Sequence, residues 1–271
     1  MESLLTAYPP AAWAALLGTG ILIGLLAGLL GVGGGIVAVP ILLEIFEFQG
    51  VAEPQAVPLA VGTAQASILI ASITAAGAHW RAGTIDRALV RAWLPALMVG
   101  AIVGLAVSPF APTKVLTTLF AVVAAALALK MAAGDRLIIG QSEPKGLLSQ
   151  VSPAVVGGLA AAVGVGGGTL STPVLTLFSF SIKRAIGAGA LFNLIIAVPA
   201  TLVFLQMDRD VPGRPADALG DVAVFCVATL SLPALFVAPI AARWSARAPV
   251  SLLRRLFALC LAVIAVRLLL R

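Results

Sequence analysis

The chain has 271 residues, of which 61% are hydrophobic and 10% charged, with 17 Lys and Arg against 11 Asp and Glu. At a mean hydropathy of +1.12 there is too little polar surface to clothe a soluble globule, which leaves an integral membrane protein. A net charge of +6 would suggest nucleic acid in a soluble protein, but here the basic residues cluster between apolar runs, where they orient spans in a bilayer and imply no nucleic-acid partner.

Charge-free apolar runs cover 3–43, 54–80, 92–113, 115–129, 146–182, 185–207, 222–242 and 256–266. Several reach the roughly 20 residues that a span requires. No Lys or Arg precedes Arg81, so the basic n-region of a signal peptide is missing and the first apolar stretch is expected to remain. An arm over 12–30 leads into Gly31-Val-Gly-Gly-Gly-Ile-Val-Ala-Val-Pro40. The apolar residues between that motif and Glu47 make only about 18 Å of helix, against a hydrocarbon core of roughly 30 Å. Spans follow near 56–78, 92–109 and 114–133, then a polar loop from Gly134 to Gln150. The second half repeats the order: a short arm over 152–163, the motif Gly164-Val-Gly-Gly-Gly-Thr-Leu-Ser-Thr-Pro173, a short arm over 169–180, and spans at 185–206, 220–241 and 250–270.

Three further stretches support a duplication. Ala111-Pro-Thr-Lys-Val-Leu-Thr-Thr-Leu-Phe-Ala121 matches Ala248-Pro-Val-Ser-Leu-Leu-Arg-Arg-Leu-Phe-Ala258, Lys130 falls on Arg267, and Ala60-Val-Gly-Thr63 falls on Ala185-Ile-Gly-Ala188. The halves are 1–137 and 138–271, interleaved in one membrane domain. Equivalent loops carry opposite charge. Arg81, Arg87 and Arg91 follow the first full span, whereas the matching loop from Asp208 to Asp221 is net acidic; Lys114 stands alone where Arg243, Arg247, Arg254 and Arg255 gather. Loops of opposite bias belong on opposite membrane faces, so the expected fold is all-α, two inverted repeats. Each repeat is a glycine-broken re-entrant or short helix pair plus three transmembrane helices, with both termini outside the cytoplasm.

The duplicated glycines are where chemistry is expected. A glycine in a helix costs about 1 kcal/mol relative to alanine, and backbone freed in lipid needs a partner or a water-lined cavity. The second arm of each pair starts just after its glycines, so its first free amides point at the tip, and helix N-termini attract anions. Gly33, Gly34, Gly35, Gly166, Gly167 and Gly168 are therefore candidate substrate contacts, joined by Thr169, Ser171, Thr172, Thr63, Gln65 and Asn193 as polar lining. No acidic residue lies near the centre of a full span, which favours an anionic over a cationic substrate. His79 and Arg81, at the end of a span, are candidates for gating or proton coupling, although an interfacial anchoring cluster with Trp80 is the simpler reading of His79. Gly24-Leu-Leu-Ala-Gly28 and Gly100-Ala-Ile-Val-Gly104 are read as helix-packing patterns. Pro40 and Pro173 are read as shaping or ending short helices. Cys226 and Cys260 are apolar-run thiols with neither disulfide nor metal spacing.

The paired GVGGG-x4-P motifs, Ala60-Val-Gly-Thr63, His79-Trp-Arg-Ala-Gly83 and Ala241-Ala-Arg-Trp-Ser-Ala-Arg247 resemble the TauE/SafE group of membrane permeases, the sulfite exporters. The resemblance implies a multi-pass carrier of the bacterial inner membrane that moves sulfite, sulfonates or related sulfur oxyanions, usually outward. The second half has Ala188 where the first has Thr63, and Ile36 stands opposite Thr169, so the two tips cannot meet a substrate identically. The resulting expectation is a secondary carrier for a small sulfur-containing anion, proton-coupled, with no cofactor, metal or catalytic residue. An anion channel and a carrier for another organic anion remain as alternatives, and oligomeric state, including a homo-oligomer, is left open.

Overall fold

The computed structural model describes residues 8–110, 113–133, 148–207 and 214–269. These form ten α-helices and one short hairpin. The N-terminal half supplies α1 (Pro10–Leu30), α2 (Gly35–Phe48), α3 (Glu53–Arg81), α4 (Arg87–Val107) and α5 (Thr113–Ala133). The C-terminal half supplies α6 (Leu148–Val163), α7 (Gly168–Leu177) and α8 (Ile182–Gln206), the strands β1 (Ala218–Leu219) and β2 (Val222–Ala223), then α9 (Val224–Arg247) and α10 (Val250–Leu269). Among the described residues five stretches are long and apolar enough to cross a membrane: Pro10–Leu30, Gln55–Arg81, Arg87–Phe110, Ile182–Gln206 and Val224–Arg247. The protein is an all-α membrane protein.

Local chemistry sets the boundaries. Pro10 opens α1 with a φ already suited to a helix, and Gly31, at φ 65°, turns the chain out of it. Asp86 caps α4, its Oδ1 accepting from the amides of Ala88 (3.1 Å) and Leu89 (3.2 Å). The sequence reading differs at three places. The span expected over 220–241 begins at Val224, because residues 218–223 fold as a hairpin around Gly220 (φ 57°) and Asp221, a turn that hydropathy alone cannot distinguish from span. Of the two readings of Pro40 and Pro173, the ending of a helix is excluded, since each is the sixth residue of its own, α2 or α7. Helix α6 already starts at Leu148, inside the expected Gly134–Gln150 loop, while 134–147 lie outside the described residues.

The helices pack in reciprocal pairs across the two halves: α1 on α9, α4 on α6, α3 on α8 and α5 on α10. The first helix of each half thus lies on the fourth of the other, while third meets third and fifth meets fifth. Glycines let the backbones approach. A Cβ at Gly24 would press on Val237 (2.8 Å) and one at Gly28 on Ala241 (2.6 Å), while Gly20 faces Leu230 and Pro233, so α1 and α9 run side by side in one direction. Gly100 meets Ala154 and Gly104 meets Gly158, so α4 and α6 do the same. Helices α3 and α8 run oppositely, since Gly62 faces Phe204 whereas Thr84, just beyond α3, faces Gly187.

Both described ends of the chain reach one end of this bundle. Tyr8, Phe46, Val51 and Cys226 share a buried cluster there, and Arg267 near the end of α10 pairs with Glu44 (3.2 Å). At the opposite end Arg184 pairs with Asp86 (3.3 Å), Lys183 donates to the Ala246 carbonyl (2.8 Å), and Ser245 donates to the Leu29 carbonyl (2.7 Å). Gly28→Val forces a side chain into the α9 backbone, at an overpacking cost of about 1–3 kcal/mol, so its unfolding midpoint in detergent should fall clearly. Gly18→Ala, where nothing lies within 4 Å of the added methyl, should leave that midpoint unchanged or slightly raised.

Candidate functional site

The two glycine tips meet in the interior. All of Gly31 to Gly35 and Gly164 to Gly168 are buried. A Cβ on Gly168 would fall on the Gly31 carbonyl oxygen, and one on Gly35 would fall on the Gly164 carbonyl oxygen. The same exchange relates their neighbours: Gly31 packs on Ile186 as Gly164 packs on Val61, and Gly35 meets Ile68 as Gly168 donates its amide to Asn193 on α8. Gly31, Gly33, Gly34 and Gly164 all have positive φ, between 65° and 83°, a region costly for other residues. Glycine is needed here twice over, for conformation and for contact.

Asn193 joins the tips. Its Nδ2 donates to the Gly31 carbonyl (2.7 Å), and its Oδ1 accepts from the Gly168 amide (2.7 Å). Thr169 adds a second tie, its hydroxyl donating to the Val32 carbonyl (3.0 Å). Thr172 donates to the Ala185 carbonyl (3.3 Å), anchoring α7 to α8. Asn193 and Thr169 therefore stand at the tips, as the sequence suggested, but their donors are already engaged. The amide of Gly168 is likewise taken. On the other tip, no hydrogen bond is formed by the amides of Gly33, Gly34, Gly35 or Ile36 among the described residues. Helix α2 presents its positive end there.

Gln65 belongs to this place. Val61 and Ile68, four residues before and three after it, both touch the tips, so all three share one stripe of α3. Gln65 is fully buried, and neither its Nε2 nor its Oε1 has a partner. Ser171, in the first turn of α7, is also buried with an unpartnered hydroxyl. Each such orphan costs about 1–3 kcal/mol. Thr63 is positioned differently from the expectation. Its hydroxyl accepts from the Ala223 amide (3.0 Å), which places it on the opposite side of α3 from Gln65, holding the start of α9.

His79 is buried and fully engaged. Its Nε2 lies 2.9 Å from the Gly28 carbonyl and its Nδ1 3.0 Å from the Thr84 hydroxyl, so it latches the end of α3 to α1. Arg81 is exposed beyond it. His79 meets α1 at Gly28, one turn before Gly31, while 14 positions along α3, about 21 Å of helix, separate it from Gln65. Trp80, in the last turn of α3, lies under the Arg87 guanidinium (4.3 Å).

The hairpin cap was not legible beforehand. Asp217 Oδ2 accepts from the Phe225 amide (2.7 Å), Arg214 donates to the Ala218 and Gly220 carbonyls, and Phe225 packs tilted against Tyr8 (4.6 Å) and edge-to-face against Trp13 (4.5 Å). Burial pushes the Tyr8 phenol well above its ordinary pKa, and the Cys226 thiol beside it acts in the same direction. Its signal was faint: one Leu-Gly-Asp turn and the only tyrosine of the chain.

Apolar spans wrapped around two glycine-broken helix pairs in contact define a multi-pass membrane protein of the transporter class. The chain belongs to the TauE/SafE sulfite exporter family, whose model matches residues 16–268. It is 31% identical over 256 residues to a Haemophilus influenzae protein named "Probable membrane transporter protein", covering 93% of this chain and 96% of that one. It is also 30% identical over 169 residues, 62% of each chain, to a protein of Methanocaldococcus jannaschii described in the same words. No solved structure matches it. The protein is thus a membrane transporter.

If Asn193 clamps the tips, Asn193→Leu strands one carbonyl and one amide and should cost about 2–5 kcal/mol, read as a lowered unfolding midpoint of the purified protein. Thr74→Val is the control, because the Thr74 hydroxyl bonds only to Ala71 within its own helix. Equal midpoints for the two variants would remove the clamp.

Proposed function

We propose that this transporter is a secondary carrier that exports a small sulfur-containing anion, sulfite or an organosulfonate, across the bacterial inner membrane. The observation that carries the reading is a buried tip whose α2 amides form no hydrogen bond, packed against the stripe of α3 that holds the unpartnered Gln65 carboxamide. No Asp or Glu lies on α1, α7 or α8, and those on α2 and α3 stand towards the helix ends. A site of neutral donors without carboxylates suits an anion. The family description supplies the sulfur oxyanion. Binding and release involve no bond making, so no catalytic residue is assigned.

Orientation follows from charge. Arg81, Arg87, Arg91, Arg184, Arg243, Arg247 and Arg255 cluster at the bundle end opposite Tyr8 and Glu44, and an excess of Arg and Lys faces the cytoplasm. This reading makes the two halves inverted copies and sets both termini outside the cell. The opposite running of the equivalent helices α3 and α8 supports the inversion, and the reciprocal pairing of helices supports the duplication.

Two measurements test these statements. In intact cells an impermeant thiol reagent should label Phe48→Cys and miss Arg247→Cys; labelling of both would overturn the inverted arrangement. In proteoliposomes loaded with labelled sulfite, unlabelled sulfite outside should accelerate efflux severalfold, as alternating access demands. Efflux indifferent to the outside anion would favour a channel, and acceleration by another organic anion alone would move the carrier to that substrate.

A further inference from the structure

Gln65 is the one part of the tip region whose chemistry points to a particular charge state of the cargo. Its carboxamide presents two N–H donors and one carbonyl acceptor, all buried and unpartnered. It sits between Val61, whose Cγ1 lies 2.7 Å from a Cβ built on Gly164, and Ile68, whose Cδ1 lies 2.7 Å from one built on Gly35. Its stripe of α3 therefore lies against the contact between the tips, where the amides of Gly35 and Ile36 form no hydrogen bond.

Resting on the anion-carrier reading above, we propose that Gln65 determines specificity by selecting a singly charged oxyanion that itself carries a proton: hydrogen sulfite, not the sulfite dianion. A fully ionised anion accepts from Nε2 but meets Oε1 with oxygen against oxygen. A ligand with its own O–H satisfies both ends: its hydroxyl donates to Oε1 while its other oxygens accept from Nε2 and from the α2 amides. The charge inventory agrees. Lys130 is buried but donates to the Thr176 hydroxyl, eight residues along α7 from Gly168, about 12 Å of helix. His79 is held between Gly28 and Thr84. With no full positive charge at the tips, the desolvation cost of an ion, which grows as the square of its charge, falls on dipoles alone and weighs fourfold against a dianion.

The other ionisable groups around α3 lie towards helix ends: Glu44 and Glu47 on α2, Lys183 and Arg184 on α8, Arg243 and Arg247 on α9. Asp221 and Cys226 flank the start of α9, and α3 carries Glu53 and Arg81 at its own ends. Cargo that arrives protonated brings its proton across with it, so a proton-linked flux needs no relay residue in the spans.

The test is equilibrium binding to the purified full-length protein between pH 6 and pH 8.5, with sulfite, methanesulfonate (a permanent monoanion without a donor) and sulfate as probes. Sulfite's apparent Kd should rise about tenfold per pH unit above the second pKa of the ligand itself, as the competent fraction shrinks. Methanesulfonate should bind without pH dependence, which controls for titration of the protein, and sulfate should not displace either. Gln65→Leu should weaken sulfite at pH 6 about tenfold, the worth of roughly one good hydrogen bond, and methanesulfonate less. Sulfite binding that is flat or tightens as pH rises, sulfate competing equally, or a Gln65→Leu protein with unchanged affinities would overturn the proposal. Failure of all three probes to bind at any pH would instead overturn the anion-carrier reading on which it rests.

Discussion

Backbone touches backbone where the two tips cross, and that contact sets the terms for everything around it. The Gly31 carbonyl fills the space a Gly168 side chain would need, and the Gly164 carbonyl does the same to Gly35. Two broken helices brought so close expose carbonyls and amides that lipid cannot satisfy. Asn193 answers for one carbonyl and one amide, and Thr169 for another carbonyl. Moving one tip against the other breaks these bonds together, so the clamp is also the element on which any rearrangement of the halves must act.

The scaffold is nearly exchange-symmetric while its chemistry is not. Aligning Ala60-Val-Gly-Thr63 with Ala185-Ile-Gly-Ala188 sets Ile68 opposite Asn193 and Gln65 opposite Ala190, and aligning the glycine motifs sets Ile36 opposite Thr169 and Ala38 opposite Ser171. The C-terminal half supplies the clamp, with Asn193 and Thr169 both engaged, whereas the N-terminal half leaves α2's amides and the Gln65 carboxamide unbonded. The clamp thus comes from one half, while unbonded groups line both tips, Ser171 on α7 among them.

Most of the architecture could be read from hydropathy and repetition. Both signals depend on runs of residues, so α3, α5 and α8 fell within a few residues of expectation, and the duplicated glycines located the broken pairs. Side-chain direction was less legible. Thr63 and Gln65 are two residues apart and looked alike in sequence, yet about 200° of helical rotation sends one to the Ala223 amide and the other to the tips. His79 looked interfacial because Trp80 and Arg81 follow it, but its own ring is turned inward to Gly28. The hairpin at 218–223 left almost no trace, because four of its six residues are apolar and read as the start of a span. Tertiary partners, not composition, decided each of these.

A carrier must also let go of what it binds, and that bears on why the tips hold dipoles and no cation. A buried guanidinium facing an oxyanion would make a strong pair whose separation leaves two uncompensated charges in a low dielectric. Backbone amides and a carboxamide bind less tightly, and when the ligand departs they leave no full charge stranded in the low dielectric. Lys130 fits this logic: the chain does bury an ammonium, but at the end of α5 against Thr176, well away from the glycines. Kept there, its charge stabilises the helix ends without deepening the well at the centre. The orphaned Gln65 is then the residual cost of a site built to be filled and emptied repeatedly, a few kcal/mol at most, carried by a bundle with extensive apolar clusters and glycine-close contacts between α1 and α9 and between α4 and α6.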